Sequence, residues 1–107
     1  MKAILIDPIL KEVKEVEYSG DYKDIYKLIE CRTFDIVRIP VGNDGIYIDD
    51  EGLFAPTQFK WHYRYNKMQP AIRLVNKGLV LGCNDEGDTI GCDSSAYDIK
   101  RNIIWSW

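Results

Sequence analysis

Residues 58–65 read Gln-Phe-Lys-Trp-His-Tyr-Arg-Tyr, with aromatic rings at 59, 61, 63 and 65 alternating with Gln58, Lys60, His62 and Arg64. Strand side chains alternate with a period of two, so this order makes one aromatic face and one polar, mostly basic face. Rings beside cations are what single-stranded nucleic acid binding uses, because rings stack on bases while cations follow phosphates. A half-buried strand carries the same alternation, its rings in the core and its cations in water. The two readings share one geometry. They differ in whether Lys60, His62, Arg64 and the nearby Lys67 hold a ligand.

Other residue types that could do chemistry are sparse. His62 is the single histidine, and a Cys–His nucleophilic pair needs a thiol within hydrogen-bond reach and an orienting group behind it. Nothing adjacent supplies either, so a surface histidine on a strand is the simpler expectation. Cys31, Cys83, Cys92 and His62 are zinc-ligand types, but no pair has the C-x₂₋₄-C spacing of structural sites, and no metal is expected. Cys83 and Cys92 flank an expected hairpin and could lie across from one another. The acidic runs Asp49-Asp50-Glu51 and Asp85-Glu86-Gly87-Asp88 do not follow the EF-hand ligand pattern and read as solvated turns. Gly78-Leu-Val-Leu-Gly82 lacks the strand, glycine turn and helix order of a phosphate-binding loop. No cofactor, catalytic residue or enzymatic activity is expected.

Composition narrows the classes further. The 107 residues suit one domain with one core. A net charge of −3, from 14 basic and 17 acidic residues, argues against a general duplex-DNA binder, which carries a large basic excess. It is also too mild for an acidic DNA mimic. Seven tyrosines and three tryptophans are more amphipathic rings than a core of this size needs, and such rings are enriched at interfaces. The apolar run Ala3–Ile6 is too short for a secretory leader, and no stretch reaches the roughly 18–20 apolar residues of a membrane span. A cytoplasmic protein with reduced thiols and no membrane partner is therefore expected.

The elements that must position these residues follow from periodicity and turn residues. Lys2–Ile6 reads as a central strand and Val13–Tyr18 as its partner. Asp21 is expected to cap a helix running to about Cys31, with Tyr22, Ile25, Tyr26 and Ile29 as its apolar stripe. Phe34–Ile39 and Ile46–Ile48 make a meander around Asn43-Asp44-Gly45, a tight-turn sequence. Leu53–Ala55 is a brief strand or 3₁₀ turn. The 58–65 strand follows, then a short Ala71–Val75 strand and a buried Leu79–Leu81 strand. Asp93 or Ser94 is expected to cap a last helix, about 95–101, with Ile103–Trp107 a final strand or docking tail. The sum is an α+β fold: a largely antiparallel sheet with one or two helices packed on it.

Six segments carry a family likeness: Met-Lys-Ala-Ile-Leu-Ile-Asp-Pro (1–8), Val-Glu-Tyr-Ser-Gly-Asp-Tyr (16–22), Ile25-Tyr26, Phe-Asp-Ile-Val-Arg-Ile (34–39), Ile-Tyr-Ile-Asp-Asp-Glu-Gly-Leu (46–53) and Lys-Gly-Leu-Val-Leu-Gly (77–82). Together, over residues 1 to about 90, they resemble a small domain-of-unknown-function family of bacteriophages and bacterial mobile elements. The chain departs from that pattern at Pro70–Asn76, where a Pro-Leu-Ala-Gly-like approach is expected, and at Trp105-Ser-Trp107. The resemblance implies an accessory protein of a phage or plasmid-type genome and brings no catalytic residues. The leading expectation is a non-enzymatic binder of a host protein, acting in takeover or defence evasion through Trp61, Tyr63, Tyr65, Trp105 and Trp107. The alternative is a nucleic-acid or nucleotide-binding module using Lys60, His62, Arg64 and Lys67. A homodimer is compatible with either.

Overall fold

A computed structural model describes residues 1–106 as two antiparallel sheets and two short helices, the α+β architecture expected from the periodicities. The main sheet has the order β2-β1-β7-β4-β3, built from β1 (Lys2–Asp7), β2 (Glu12–Glu17), β3 (Phe34–Arg38), β4 (Asp44–Asp49) and β7 (Gly78–Cys83). A two-residue β8 (Thr89–Ile90) pairs with the end of β7. The small sheet has the order β6-β5-β9, from β5 (Lys60–Tyr63), β6 (Ile72–Val75) and β9 (Ile103–Ile104). Helix α1 spans Lys23–Leu28 and α2 spans Ala96–Arg101. A 3₁₀ turn, Gly52–Phe54, precedes β5.

Strand alternation divides the core into two layers. From one face of the main sheet Ile4, Ile6, Ile46 and Val80 meet Trp61, Tyr63, Leu74 and Ile103 of the small sheet and Ile99 of α2. From the other face Ala3, Leu5, Tyr47, Leu79 and Leu81 meet Ile25 and Ile29 of the α1 segment and Tyr18. The second layer continues as a row of rings, Tyr22–Tyr26–Phe34–Tyr47, with successive centroids 5.8, 5.5 and 5.2 Å apart. Such spacings suit edge-on and tilted aromatic packing. Both faces of β7 are covered, which is why its sequence is a continuous apolar run rather than an alternating one.

Several expectations change in detail. Helix α1 stops at Leu28, short of Cys31, and Tyr22 occupies its N-cap; Asp21 instead accepts a hydrogen bond from the Lys23 N–H at 3.0 Å. The turn before β4 uses Gly42, at φ 53°, so Asn43-Asp44-Gly45 is not the hairpin tip. Asp44 begins β4 and is 1% exposed. Its carboxylate accepts the Asp93 N–H at 2.9 Å, the Ser94 N–H at 2.8 Å and the Ser94 hydroxyl at 2.6 Å. Asp93 and Ser94 are thereby committed to Asp44, and the cap of α2 falls to Ser95, which accepts the Asp98 N–H at 3.1 Å. Cys83 stands opposite Thr89 rather than Cys92, and all three cysteines are free thiols.

Candidate functional site

The small sheet turns one face inward and one outward, and the segment that opened the sequence argument is its middle strand. Only Lys60–Tyr63 is extended enough to alternate strictly, so only two of the four rings enter the core. Trp61 is 0% and Tyr63 1% exposed, whereas Phe59 is exposed and Tyr65, past the strand end, is 44% exposed. Trp61 donates its indole N–H to the Asn76 carbonyl at 2.7 Å, so its burial leaves that polar group satisfied. The β6–β7 turn makes this possible: Asn76, at φ 63°, also exchanges hydrogen bonds with the Phe59 backbone at 2.9 and 3.0 Å. At Gly78 a Cβ would lie 3.0 Å from Ile46 Cγ2 and 3.2 Å from the Trp61 ring. The bare backbone there lets the indole lie down on β7. Trp61 and Tyr63 are thus spent on the core and present no surface to a partner.

Outward, the register places His62 between Arg73 of β6 and Ile104 of β9, with Lys60 two residues away on the same face. The His62 Nδ1 is 2.7 Å from the Ser106 carbonyl oxygen. A carbonyl only accepts, so Nδ1 carries the proton and Nε2 is the ring's other polar atom. Arg64, Lys67 and Arg73 are exposed, and none has an ion-pair partner among the described residues. Arg64 and Lys67 sit in the connection after β5, where the Arg64 N–H donates to the Asn102 carbonyl at 2.9 Å. Lys60 and Arg73 thus put positive charge on one face of the small sheet, which attracts anions.

Beside this face, Lys60 shares a cleft of about 350 Å³ with Phe59, Trp105, Gln58 and Lys11. It joins an exposed phenyl ring and a half-buried indole to two cations, the combination that base stacking with phosphate contact requires. The structure therefore brings Lys60 and Trp105 together at one end and leaves Arg64, Tyr65 and Lys67 at the other. Trp107 lies outside the described residues.

Arg73, Phe59 and Lys11 were missed as site residues. Arg73 had a signal in the sequence: from Gly52 to Asn84 there is no Asp or Glu, yet the segment carries Lys60, Arg64, Lys67, Arg73 and Lys77. The mild net negative charge hides this because the acids crowd the flanking segments. Lys11 had no such signal, since only the fold brings it near Lys60.

Among the described residues no group of histidine, cysteine and carboxylate side chains is arranged to hold a metal ion. No helix there is long and apolar enough to cross a membrane. Burial pushes the Cys31 and Cys92 thiols up to about 11, with the Asp49 charge adding to the first and Asp44 to the second. Neither is a thiolate at neutral pH. No match was found among curated proteins or among solved structures. Residues 1–102 match the family model described as a domain of unknown function (DUF3846), and the chain belongs to that family.

Proposed function

We propose that the protein is a non-enzymatic module that binds single-stranded nucleic acid across the outer face of its small sheet. The observation that carries this reading is the register that puts Lys60, His62 and Arg73 on one outward face, continuous with the Phe59–Trp105 cleft. Phosphates would lie along Arg73, Lys60 and Lys11, and a base would stack against Phe59 or Trp105. Arg64 and Lys67 extend the positive potential past the strand end. The likeness of the sequence motifs to a phage and mobile-element family supports an accessory role during takeover of a host cell or evasion of its defences.

Fluorescence anisotropy with a labelled oligonucleotide at low salt tests the reading. Three or four phosphate contacts give a slope of about −2 to −3 in log K against log salt for a single strand. Absence of a signal at about 10 μM protein in low salt would retire the proposal, because steered phosphate contacts are strongest under those conditions.

A second reading keeps a protein partner and is favoured by one observation. Phe54 and Met68 are 87% and 92% exposed, more than a solvated surface needs from large apolar side chains. Affinity pull-down with a Phe54→Ser, Met68→Ser double variant as control separates it from the first: loss of a captured protein with oligonucleotide binding intact would favour the second.

A further inference from the structure

The main sheet ends at β3, which pairs with β4 on one side and has no strand neighbour on the other among the described residues. The phase of the ladder decides which groups this edge leaves open. The Ile39 N–H donates to the Asp44 carbonyl at 3.3 Å and the Asp50 N–H to the Thr33 carbonyl at 3.2 Å. In this register, residues 33, 35, 37 and 39 turn their backbone groups toward β4. The N–H and C=O groups of Phe34, Ile36 and Arg38 therefore point outward. Such a row is a template for another extended chain.

The two ends of the main sheet are protected unequally. At the far end β2 carries Glu12, Lys14, Glu15 and Glu17, and charge along an edge strand discourages pairing. The β3 sequence is Phe-Asp-Ile-Val-Arg, mostly apolar, and Ile36 at its centre is 43% exposed. Antiparallel pairing with a second copy about a two-fold axis at Ile36 uses every outward group. It sets Ile36 opposite its twin and Phe34 opposite the second copy's Arg38. An exposed aliphatic side chain then covers its counterpart, and a guanidinium meets a ring. The open edge stops at Arg38, because Pro40 follows and Gln69 and Pro70 stand beside that end.

One contact opposes this pairing. The Ile36 N–H, the central outward donor, is already bonded to the Asp35 carboxylate at 2.8 Å. In the two-fold pair the Asp35 residues of the two copies would also lie diagonally on one face, about 7–8 Å apart, where like charges repel. We infer that Asp35 guards a self-complementary edge. Its carboxylate takes the donor that a second copy's β3 needs and adds like-charge repulsion, so the chain does not pair β3 to β3 while that carboxylate is in place. The strand takes no part in the outer face of the small sheet, so the inference stands apart from oligonucleotide binding.

The test is sedimentation equilibrium of the full chain, free of nucleic acid, from about 10 μM to about 1 mM, a range that brackets weak association. Asp35→Ala should self-associate at least about tenfold more tightly than the parent, the factor that a hydrogen bond to a charged group is worth. Asp35→Asn keeps an oxygen but loses the charge, and should fall between the two. Adding Ile36→Pro to Asp35→Ala should return the association constant to that of the parent, since proline deletes the outward N–H and leaves the β4 ladder whole. Thermal melts check that each variant is folded; if Asp35→Ala melts early, Asp35→Asn carries the comparison. The inference is overturned if neither Asp35 variant associates more tightly than the parent. It is also overturned if the gain survives Ile36→Pro, which would put the contact elsewhere. A parent that is already dimeric and is dissociated by Ile36→Pro alone overturns it too, because the edge would then be unguarded.

Discussion

Replacing Asp44 by Asn tests how the main sheet is held to the segment that leads into α2. The carboxylate gathers three donors from residues 49 and 50 positions further along the chain: one N–H on Oδ1, and one N–H and one hydroxyl on Oδ2. Hydrogen bonds to a charged group are worth about 1.5–3 kcal/mol each, neutral ones about 0.5–1.5. In Asp44→Asn the amide oxygen can keep the two Ser94 donors as neutral bonds. Its NH₂ then faces the Asp93 N–H, donor against donor. Weakening two bonds and losing the third costs roughly 3–5 kcal/mol, offset by about 1–2 kcal/mol because a charge is no longer buried. The net expectation is a loss of about 2–3 kcal/mol, a large part of the stability of a domain this size. Urea unfolding at pH 7 should show the midpoint falling by roughly 2 M at an m-value near 1–1.5 kcal/mol/M. Ser94→Ala removes only the hydroxyl donor and should cost about 1–2 kcal/mol. An Asp44→Asn midpoint within 0.3 M of the parent would refute the reasoning, since the carboxylate's desolvation would then cancel all three bonds.

Three further outcomes are expected. Arg73→Glu should abolish oligonucleotide binding while moving Tm by less than about 2 °C, because the side chain is exposed and has no ion-pair partner among the described residues; anisotropy and thermal melts check this. Gly78→Ala should cost about 1–3 kcal/mol in urea unfolding, since the new methyl must displace Ile46 or the Trp61 ring in a packed layer. Cys31 and Cys92 keep their protons in the folded state up to about pH 11, whereas the unfolded thiols release theirs near 9, so the folded state binds more protons between those values. Stability should therefore fall as pH rises from about 9 to 11. At pH 8 iodoacetamide should label both thiols quickly only in denaturant, as read by mass spectrometry.

The local part of the fold was legible from sequence. The β1–β2 pair, the α1 stripe at Ile25 and Ile29, and the buried run of β7 follow from periodicity within a few residues. What escaped depends on distant partners. Asp44 looks like a turn residue because aspartate beside asparagine and glycine usually is one; only a loop some fifty residues away makes it a buried anchor. The same displacement moved the cap of α2 from Asp93 or Ser94 to Ser95. The aromatic stripe was half legible. Alternation put Trp61 and Tyr63 on one face and Lys60 and His62 on the other, without fixing which faced the core; the strand's end at Tyr63 then released Tyr65, and Phe59 stayed outside its start. The outer face gained Arg73 and the Phe59–Trp105 cleft only through the β5–β6 and β5–β9 pairings, and pairing is not written in any single strand.

The place of β7 between β1 and β4 also sets an order of assembly. Ile4–Ile6 pair with Gly78–Val80, and Asp44–Ile48 with Gly78–Gly82, so the two hairpins that precede β7 share no edge until it arrives. A nascent chain shorter than about 80 residues would hold two ribbons, β1–β2 and β3–β4, each with an unpaired inner edge and an uncovered apolar face. Closing the sheet spans loops of about 30 and about 70 residues, which makes folding slow for the chain's length. During synthesis the exposed strand is β1, whose Ala-Ile-Leu-Ile run carries no charge to discourage intermolecular pairing. The interval before β7 emerges is accordingly when this protein is most exposed to aggregation.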